Sequence, residues 1–351
     1  GSAPTDPDPV DILNLGFRFD EPVLTEDVPP DTGQAAALFA RTPTTYQRDI
    51  DFGALAAKAA RSNVPATGTM VRYFPSRLNL GEGKDLSTFP GYLGQLQPYS
   101  LYVPTSYSPA AQAGLTLNLH SLSEHHWQYN GSTGVQQLGE GRGNIVATPL
   151  ARGDDGWYQH EAEYDVFEMW NDVASRFSLD PDRTAITGYS MGGYATYRLG
   201  TLYPDLFGKA VSIVGPPGDG IWVPPAPPTG GIETLTNLWL ENARNLPYMN
   251  IVSAQDELVP IAGTTQQNIG PSASGFTSFD ALGYRFRFQV FNPGDHLHLA
   301  LLSYDLPQAA EFMGASTVDR NPYHVTFSYT PDADDPALGL VHDHAYWVSE
   351  V

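Results

Sequence analysis

The sequence predicts an α/β fold, a mostly parallel sheet with helices on both faces. Three observations carry that expectation. Short apolar runs of strand character alternate with segments whose apolar residues recur at helical spacing. One such run, Thr184-Ala185-Ile186-Thr187, leads straight into Gly188-Tyr189-Ser190-Met191-Gly192-Gly193 and then into a helical pattern. Two later strands each run into a loop bearing a candidate partner for that serine, an acid first and a histidine second.

Composition sets the limits. A chain of 351 residues with 41% hydrophobic content can bury a sizeable core, as one large domain or two modest ones. No apolar run reaches the roughly 18 residues of a membrane-spanning helix. A formal charge of −21 makes nucleic acid, anionic membrane surfaces and polyanionic substrates poor partners. The absence of cysteine excludes a disulfide framework and a thiolate metal site. Lysine is nearly absent (Lys58, Lys84 and Lys209), a bias without a mechanism attached. Gly1-Ser2 reads as a remnant of cloning and residues 3–9 as a flexible mature end, which leaves room for a removed leader. Secretion is the expectation.

Residues 1–94 are expected to form an N-terminal extension that packs on the core. They are rich in Pro, Asp and Thr, with an apolar patch at Ile12-Leu13-Asn14-Leu15 and a short helix over Ala54–Ala60 opened by Asp51. Signals from Val64 to Gly94 are mixed. Alternation begins at Tyr99–Pro104 and continues with strands at Leu115–His120 and Asn144–Pro149. After a long loop, Val166, Met169, Trp170, Val173 and Phe177 recur at helical spacing up to Leu179. The strand before Ser190 and its helix (to about Leu202) follow, then strands at Lys209–Val214, Met249–Ala254 and Tyr284–Phe291, and a helix from about Leu299 to Met313. Residues 215–247 read as an insertion over one face. Beyond residue 315, His324–Tyr329 and Tyr346–Val351 are expected as extra strands.

Gly188-Tyr189-Ser190-Met191-Gly192 is where chemistry is expected. A sharp strand-to-helix turn pushes the serine oxygen clear of the backbone, and the turn is so tight that small residues must stand two before and two after it. A helix starting behind the serine aims backbone N–H groups at a developing oxyanion. The serine then needs a base and the base an orienting carboxylate. In an open α/β sheet, reactive groups gather at the carboxyl ends of the strands. Asp256 follows Met249–Ala254, with Glu257 as the rival acid; His296 follows Tyr284–Phe291, with His298 as the rival base. Asp295 is read as a turn or capping residue. One oxyanion donor is expected at Met191, the other at Ser121 or Leu122 in the loop after Leu115–His120.

Leu119-His120-Ser121, Gly188-Tyr189-Ser190-Met191-Gly192-Gly193, Asp256-Glu257-Leu258-Val259-Pro260 and Gly294-Asp295-His296 together resemble the α/β-hydrolase superfamily. Within it, residues 95–315 are similar to secreted esterases related to polyhydroxybutyrate depolymerases and feruloyl esterases, and to the catalytic domains of prolyl-oligopeptidase-type peptidases. The resemblance implies an α/β-hydrolase fold, nucleophile Ser190, acid Asp256, base His296, oxyanion donors Met191 and Leu122, and no cofactor. One departure stands out: those families usually carry His-Gly after the second strand, and this chain carries His120-Ser121.

Trp127, Trp157, Tyr158 and Trp222 lie on loops over the expected site and are candidate platforms for an acyl or aromatic group, packing being the bland alternative for each. His125, His126 and Tyr129 are open to the same two readings. His342-Asp343-His344 lies on an expected strand, where a His-x-His pair is usually a surface feature, and the acidic run at Asp332, Asp334 and Asp335 lacks the spacing of a calcium loop and is read as solvated. The functional expectation is hydrolysis of a small or polymeric carboxylic ester through an acyl-enzyme. A prolyl-oligopeptidase-type peptidase is the second reading, disfavoured by a segment too short for a gating propeller ahead of the core. A non-catalytic binding module on the same fold is the third.

Overall fold

The computed structural model describes residues 40–42, 52–57, 66–78, 96–129, 133–272, 275–298 and 305–351. Among the described residues, eight strands form one sheet: β1 Gly68–Pro75, β2 Leu96–Val103, β3 Ala113–Leu119, β4 Asn144–Pro149, β5 Leu179–Tyr189, β6 Lys209–Ile213, β7 Tyr248–Ser253 and β8 Phe286–Phe291. Their order is β1-β2-β4-β3-β5-β6-β7-β8. The β1–β2 and β2–β4 pairs are antiparallel, and every pair from β4 to β8 is parallel. The helices are α1 Phe52–Ala56, α2 Thr133–Gly139, α3 Glu161–Arg176, α4 Met191–Leu202, α5 Ile261–Ile269 and α6 Asp305–Met313. This is the expected α/β-hydrolase fold.

Burial follows the topology. Strands β3, β4 and β7 are buried at every residue, as parallel strands covered on both faces must be. The edge strand β8 mixes partly buried and exposed positions and buries none fully. Helix α4 is buried along its whole length; Tyr197 stacks on Tyr248 of β7 with centroids 5.7 Å apart, and 3₁₀ turns over Thr236–Asn245 cover its outer side. The helix carrying Ser190 at its head is therefore fixed on all sides.

Several elements differ from expectation. Strand β1 lies where the sequence signals were mixed; it is an antiparallel edge strand, partly exposed and interrupted by Arg72, so it has no clean apolar run. The strands expected at 324–329 and 346–351 do not form. Among the described residues, the only β contacts beyond residue 313 are isolated bridges, Asp335 with Leu340 and Ala345 with Val348. Side chains take the backbone groups instead: Asn242 Oδ1 accepts the Ser328 N–H at 2.6 Å, and Asp205 accepts the Tyr346 N–H at 3.1 Å. The patch at Ile12–Leu15, and residues 299–304 of the last expected helix, lie outside the described residues.

His342 and Asp334 are not solvated surface. The His342 imidazole is buried between two carboxylates, with Nε2 2.7 Å from Glu163 Oε1 and Nδ1 2.8 Å from Asp334 Oδ1. Arg198 of α4 pairs with Glu163 at 2.9 Å, and the Tyr203 hydroxyl donates to it at 2.6 Å. Burial opposes ionisation of Glu163, but Arg198, His342 and Tyr203 outweigh it and hold the carboxyl below its usual range. The C-terminal segment is thereby bound to α3 and α4 by a buried charge network. Asp335 approaches His160 at 3.0 Å.

Candidate active site

The turn from β5 to α4 is built around glycine. A Cβ on Gly188 would lie 2.3 Å from the Gly192 carbonyl oxygen, and one on Gly192 only 2.0 Å from that of Leu119. Their absence lets the head of α4 sit directly against the carboxyl end of β3. Ser190, between them, adopts φ 55° and ψ −117°, a strained conformation costing on the order of 1–3 kcal/mol. Its N–H donates to the Ile213 carbonyl at 2.9 Å, and its own carbonyl accepts the Tyr194 N–H at 3.0 Å. Packing on both sides maintains the strain.

Ser190, His296 and Asp256 come together. His296 Nε2 lies 2.9 Å from Ser190 Oγ, and its Nδ1 lies 2.8 Å from Asp256 Oδ2 and 3.0 Å from Oδ1. A carboxylate can only accept, so Nδ1 carries the proton and Nε2 presents a lone pair to the serine hydroxyl. Both partner side chains are almost wholly buried. Asp256 Oδ1 also accepts the N–H groups of Leu258 at 3.0 Å and Val259 at 2.6 Å, which fixes the carboxylate plane. Tyr189 donates its hydroxyl to the His296 carbonyl, tying the histidine loop to the end of β5.

The rivals have other partners. Glu257 Oε2 accepts the His296 backbone N–H at 3.3 Å. Asp295 Oδ1 accepts the His298 N–H at 2.8 Å, a turn-capping contact.

The two expected oxyanion donors stand at the head of α4 and in the loop after β3. Met191 opens α4, and the first N–H groups of a helix have no intrahelical acceptor. Across from it, the loop after β3 offered Ser121 or Leu122. The Ser121 N–H donates to Gln128 Oε1 at 2.8 Å. The Leu122 N–H has no protein partner among the described residues. His120 is fully buried between the carbonyls of Ser121 (2.9 Å) and Leu150 (2.8 Å). Burial pushes it down to about 4, so at neutral pH its single proton serves one of them.

The aromatic candidates divide. Trp127 and Trp157 are half-buried; Trp157 donates Nε1 to Asp155 at 2.9 Å and packs edge-on against Tyr194. Tyr158 and Trp222 offer no face to a ligand. The Tyr158 hydroxyl donates to the His120 carbonyl at 3.2 Å, and Trp222 packs on Phe276 with Nε1 bonded to Ala226. Both loops fold inward to bury these rings. His125 and His126 are buried as well.

Sequence reasoning passed over two acids. Asp219, in the loop after β6, lies close to Asp155, in the loop after β4; burial first and Asp155 second push it up to about 6. Nothing in the spacing announces this pair, because the loops meet only in the fold. The β4 loop is also strained, with positive φ at Ala151, Arg152, Trp157, Tyr158 and His160.

Comparison with known proteins agrees with the fold. A sequence model of the prolyl oligopeptidase family matches residues 141–216, which span β4 to the end of β6. No curated protein sequence matches. Among solved structures, the chain is similar to FphF, a fluorophosphonate-binding serine hydrolase of Staphylococcus aureus solved with substrate bound, at 18% identity and a TM-score of 0.54, covering 70% of this chain and 98% of that one. A ferulic acid esterase matches at 16% identity and a TM-score of 0.52, over 70% of this chain and 98% of that one. An acylaminoacyl peptidase of Pyrococcus horikoshii matches at 15% identity and a TM-score of 0.53, over 80% of this chain but only 46% of the peptidase. At such identities the likeness is one of fold.

Proposed function

We propose that this α/β-hydrolase-fold protein is a serine hydrolase that cleaves carboxylic esters through an acyl-enzyme. His296 Nε2 takes the Ser190 proton as Oγ bonds to the ester carbonyl carbon. The carbonyl oxygen becomes an oxyanion held by the Met191 and Leu122 N–H groups. Asp256 stabilises the imidazolium and fixes its tautomer. His296 then protonates the departing alcohol as its C–O bond breaks, leaving Ser190 acylated. Water, deprotonated by His296, attacks the acyl carbon, and the serine leaves with the proton. Trp127 and Trp157, half-buried on the loops after β3 and β4, are the candidate platform for the acyl or alcohol group.

The observation that carries the reading is the relay Ser190 Oγ–His296–Asp256, with contacts of 2.9 and 2.8 Å at the head of a buried helix. The esterases among the fold neighbours support it. The test is hydrolysis of p-nitrophenyl acyl esters by the parent and by Ser190→Ala. Turnover is expected in the parent and lost in the variant; equal turnover contradicts the reading.

A peptidase is the second reading, favoured by the match of residues 141–216 to the prolyl oligopeptidase family. The same relay would cleave an amide, with His296 protonating the leaving amine. Rates on paired p-nitrophenyl esters and aminoacyl p-nitroanilides separate the two.

A further inference from the structure

We propose that Gln128 is a positioning residue for the oxyanion hole: by holding Ser121 at two points, it aims the Leu122 N–H at the developing oxyanion. The inference rests on the ester-hydrolase reading and deepens it.

The geometry is a closed clamp. Gln128 Oε1 accepts the Ser121 N–H at 2.8 Å, and Gln128 Nε2 donates to Ser121 Oγ at 2.6 Å. Ser121 is the residue that departs from the His-Gly pattern, and its hydroxyl supplies the second arm. On the other side of the same residue, the Ser121 carbonyl accepts the Glu124 N–H at 3.2 Å and lies 2.9 Å from His120 Nδ1. In a planar trans peptide the C=O and the following N–H point in opposite directions. Anchoring the carbonyl on the protein side thus turns the Leu122 N–H outward, away from those partners.

The clamp stands on the sheet. Gln128 closes a turn through its own N–H to the His125 carbonyl at 3.0 Å, and the His126 carbonyl accepts Ser100 Oγ of β2 at 2.6 Å. Farther along the loop, Ser123 takes φ 64° and donates its N–H to the Asp154 carbonyl at 2.9 Å. Leu122 lies between these anchor points, its side chain exposed and its N–H unpaired among the described residues. The two bonds to Gln128 fix the amide and side chain of Ser121 at the entry to that peptide, and the contacts at its carbonyl hold the peptide plane that carries the Leu122 N–H. The arrangement also takes the Ser121 N–H out of contention as a donor to substrate.

The test is Gln128→Met, which keeps side-chain length and deletes both polar atoms. Removing an oxyanion donor outright costs about 10²–10³-fold in kcat. Misaiming one is expected to lower kcat on p-nitrophenyl butyrate at least about tenfold, with KM within about twofold. Binding of an alkyl trifluoromethyl ketone, whose adduct carries the oxyanion, should weaken by the same factor as kcat/KM. Ser121→Ala, which removes only the hydroxyl arm, is expected to lower kcat about threefold, and the double variant to be no slower than Gln128→Met. A smaller kcat loss in folded Gln128→Met, or a loss carried by KM, overturns the clamp. If Gln128→Met fails to fold, Ser121→Ala decides, and an unchanged kcat refutes the proposal. Failure of the ester-hydrolase reading would look different: the parent itself would not turn over.

Discussion

Gly192→Ala is the sharpest perturbation of the turn that presents Ser190. The added Cβ would lie 2.0 Å from the Leu119 oxygen, 2.6 Å from its carbon and 2.9 Å from the His120 oxygen. All three are backbone atoms, so no side chain can swing aside. Real Cβ contacts essentially never fall under 3.0 Å, so the head of α4 must retreat from β3 by about 1 Å or more. That retreat widens the gap between Met191 on the helix and Leu122 on the loop, the two residues proposed to supply the oxyanion N–H groups. A misplacement of about 1 Å at a reacting centre costs on the order of 10²-fold in rate, about 2.7 kcal/mol of barrier. Overpacking costs about 1–3 kcal/mol of stability, offset by up to about 1 kcal/mol from the better helix propensity of alanine. The expected result is therefore a folded protein with its melting temperature lowered by a few degrees and kcat on p-nitrophenyl butyrate down about a hundredfold. A kcat within threefold of the parent would refute the argument that this contact sets the oxyanion geometry.

Other substitutions test the same architecture. Asp256→Asn keeps an oxygen for the Leu258 and Val259 N–H groups but turns an amide toward His296 Nδ1, forcing the wrong tautomer; kcat should fall about 10⁴-fold with the melting temperature nearly unchanged. His342→Ala removes a buried hydrogen-bond partner from Asp334 and from Glu163, which keeps Arg198 and Tyr203, and urea titration should show a loss of about 1–3 kcal/mol. Acid should weaken the fold through His120. Its folded pKa of about 4 lies below the unfolded value of about 6.5, so its contribution is full above pH 6.5 and is lost as pH falls toward 4. Melting temperature should drop across that window, and His120→Gln should flatten the slope.

Most strands legible in sequence share one physical feature, burial on both faces; β8, a partly exposed edge strand, is the exception. Strands β3, β4, β5, β6 and β7 are short apolar runs because parallel strands covered by helices admit little else, and all five stood out. Strand β1 and helix α5 did not: β1 is a half-exposed edge, and α5 reads Ile261-Ala262-Gly263-Thr264-Thr265-Gln266-Gln267-Asn268-Ile269, with glycine and β-branched residues where a helical signal needs the opposite. The strands expected near the C-terminus show the converse failure. His324–Tyr329 has β-type residues, but its neighbours offer side-chain partners and no ladder.

At the site, the order serine, acid, histidine at successive strand ends was enough to single out the three side chains that meet. Asp256 is the first acid after its strand, and in the structure its rival Glu257 reaches the His296 backbone instead of the ring. Aromatic residues on loops were a weaker guide, since Tyr158 and Trp222 turn inward while Trp127 and Trp157 stay half-exposed. His342 was misread because Glu163, the carboxylate that holds its Nε2, lies 179 residues upstream. Gln128 carried no signal at all; its role depends on a turn that brings it back onto Ser121.

Labelling with a fluorophosphonate, followed by intact mass and peptide mapping, tests the nucleophile most directly. The account predicts one adduct per chain, on Ser190, formed slowly or not at all in His296→Ala and absent from Ser190→Ala. An unlabelled parent, or an adduct on any other residue, would contradict it.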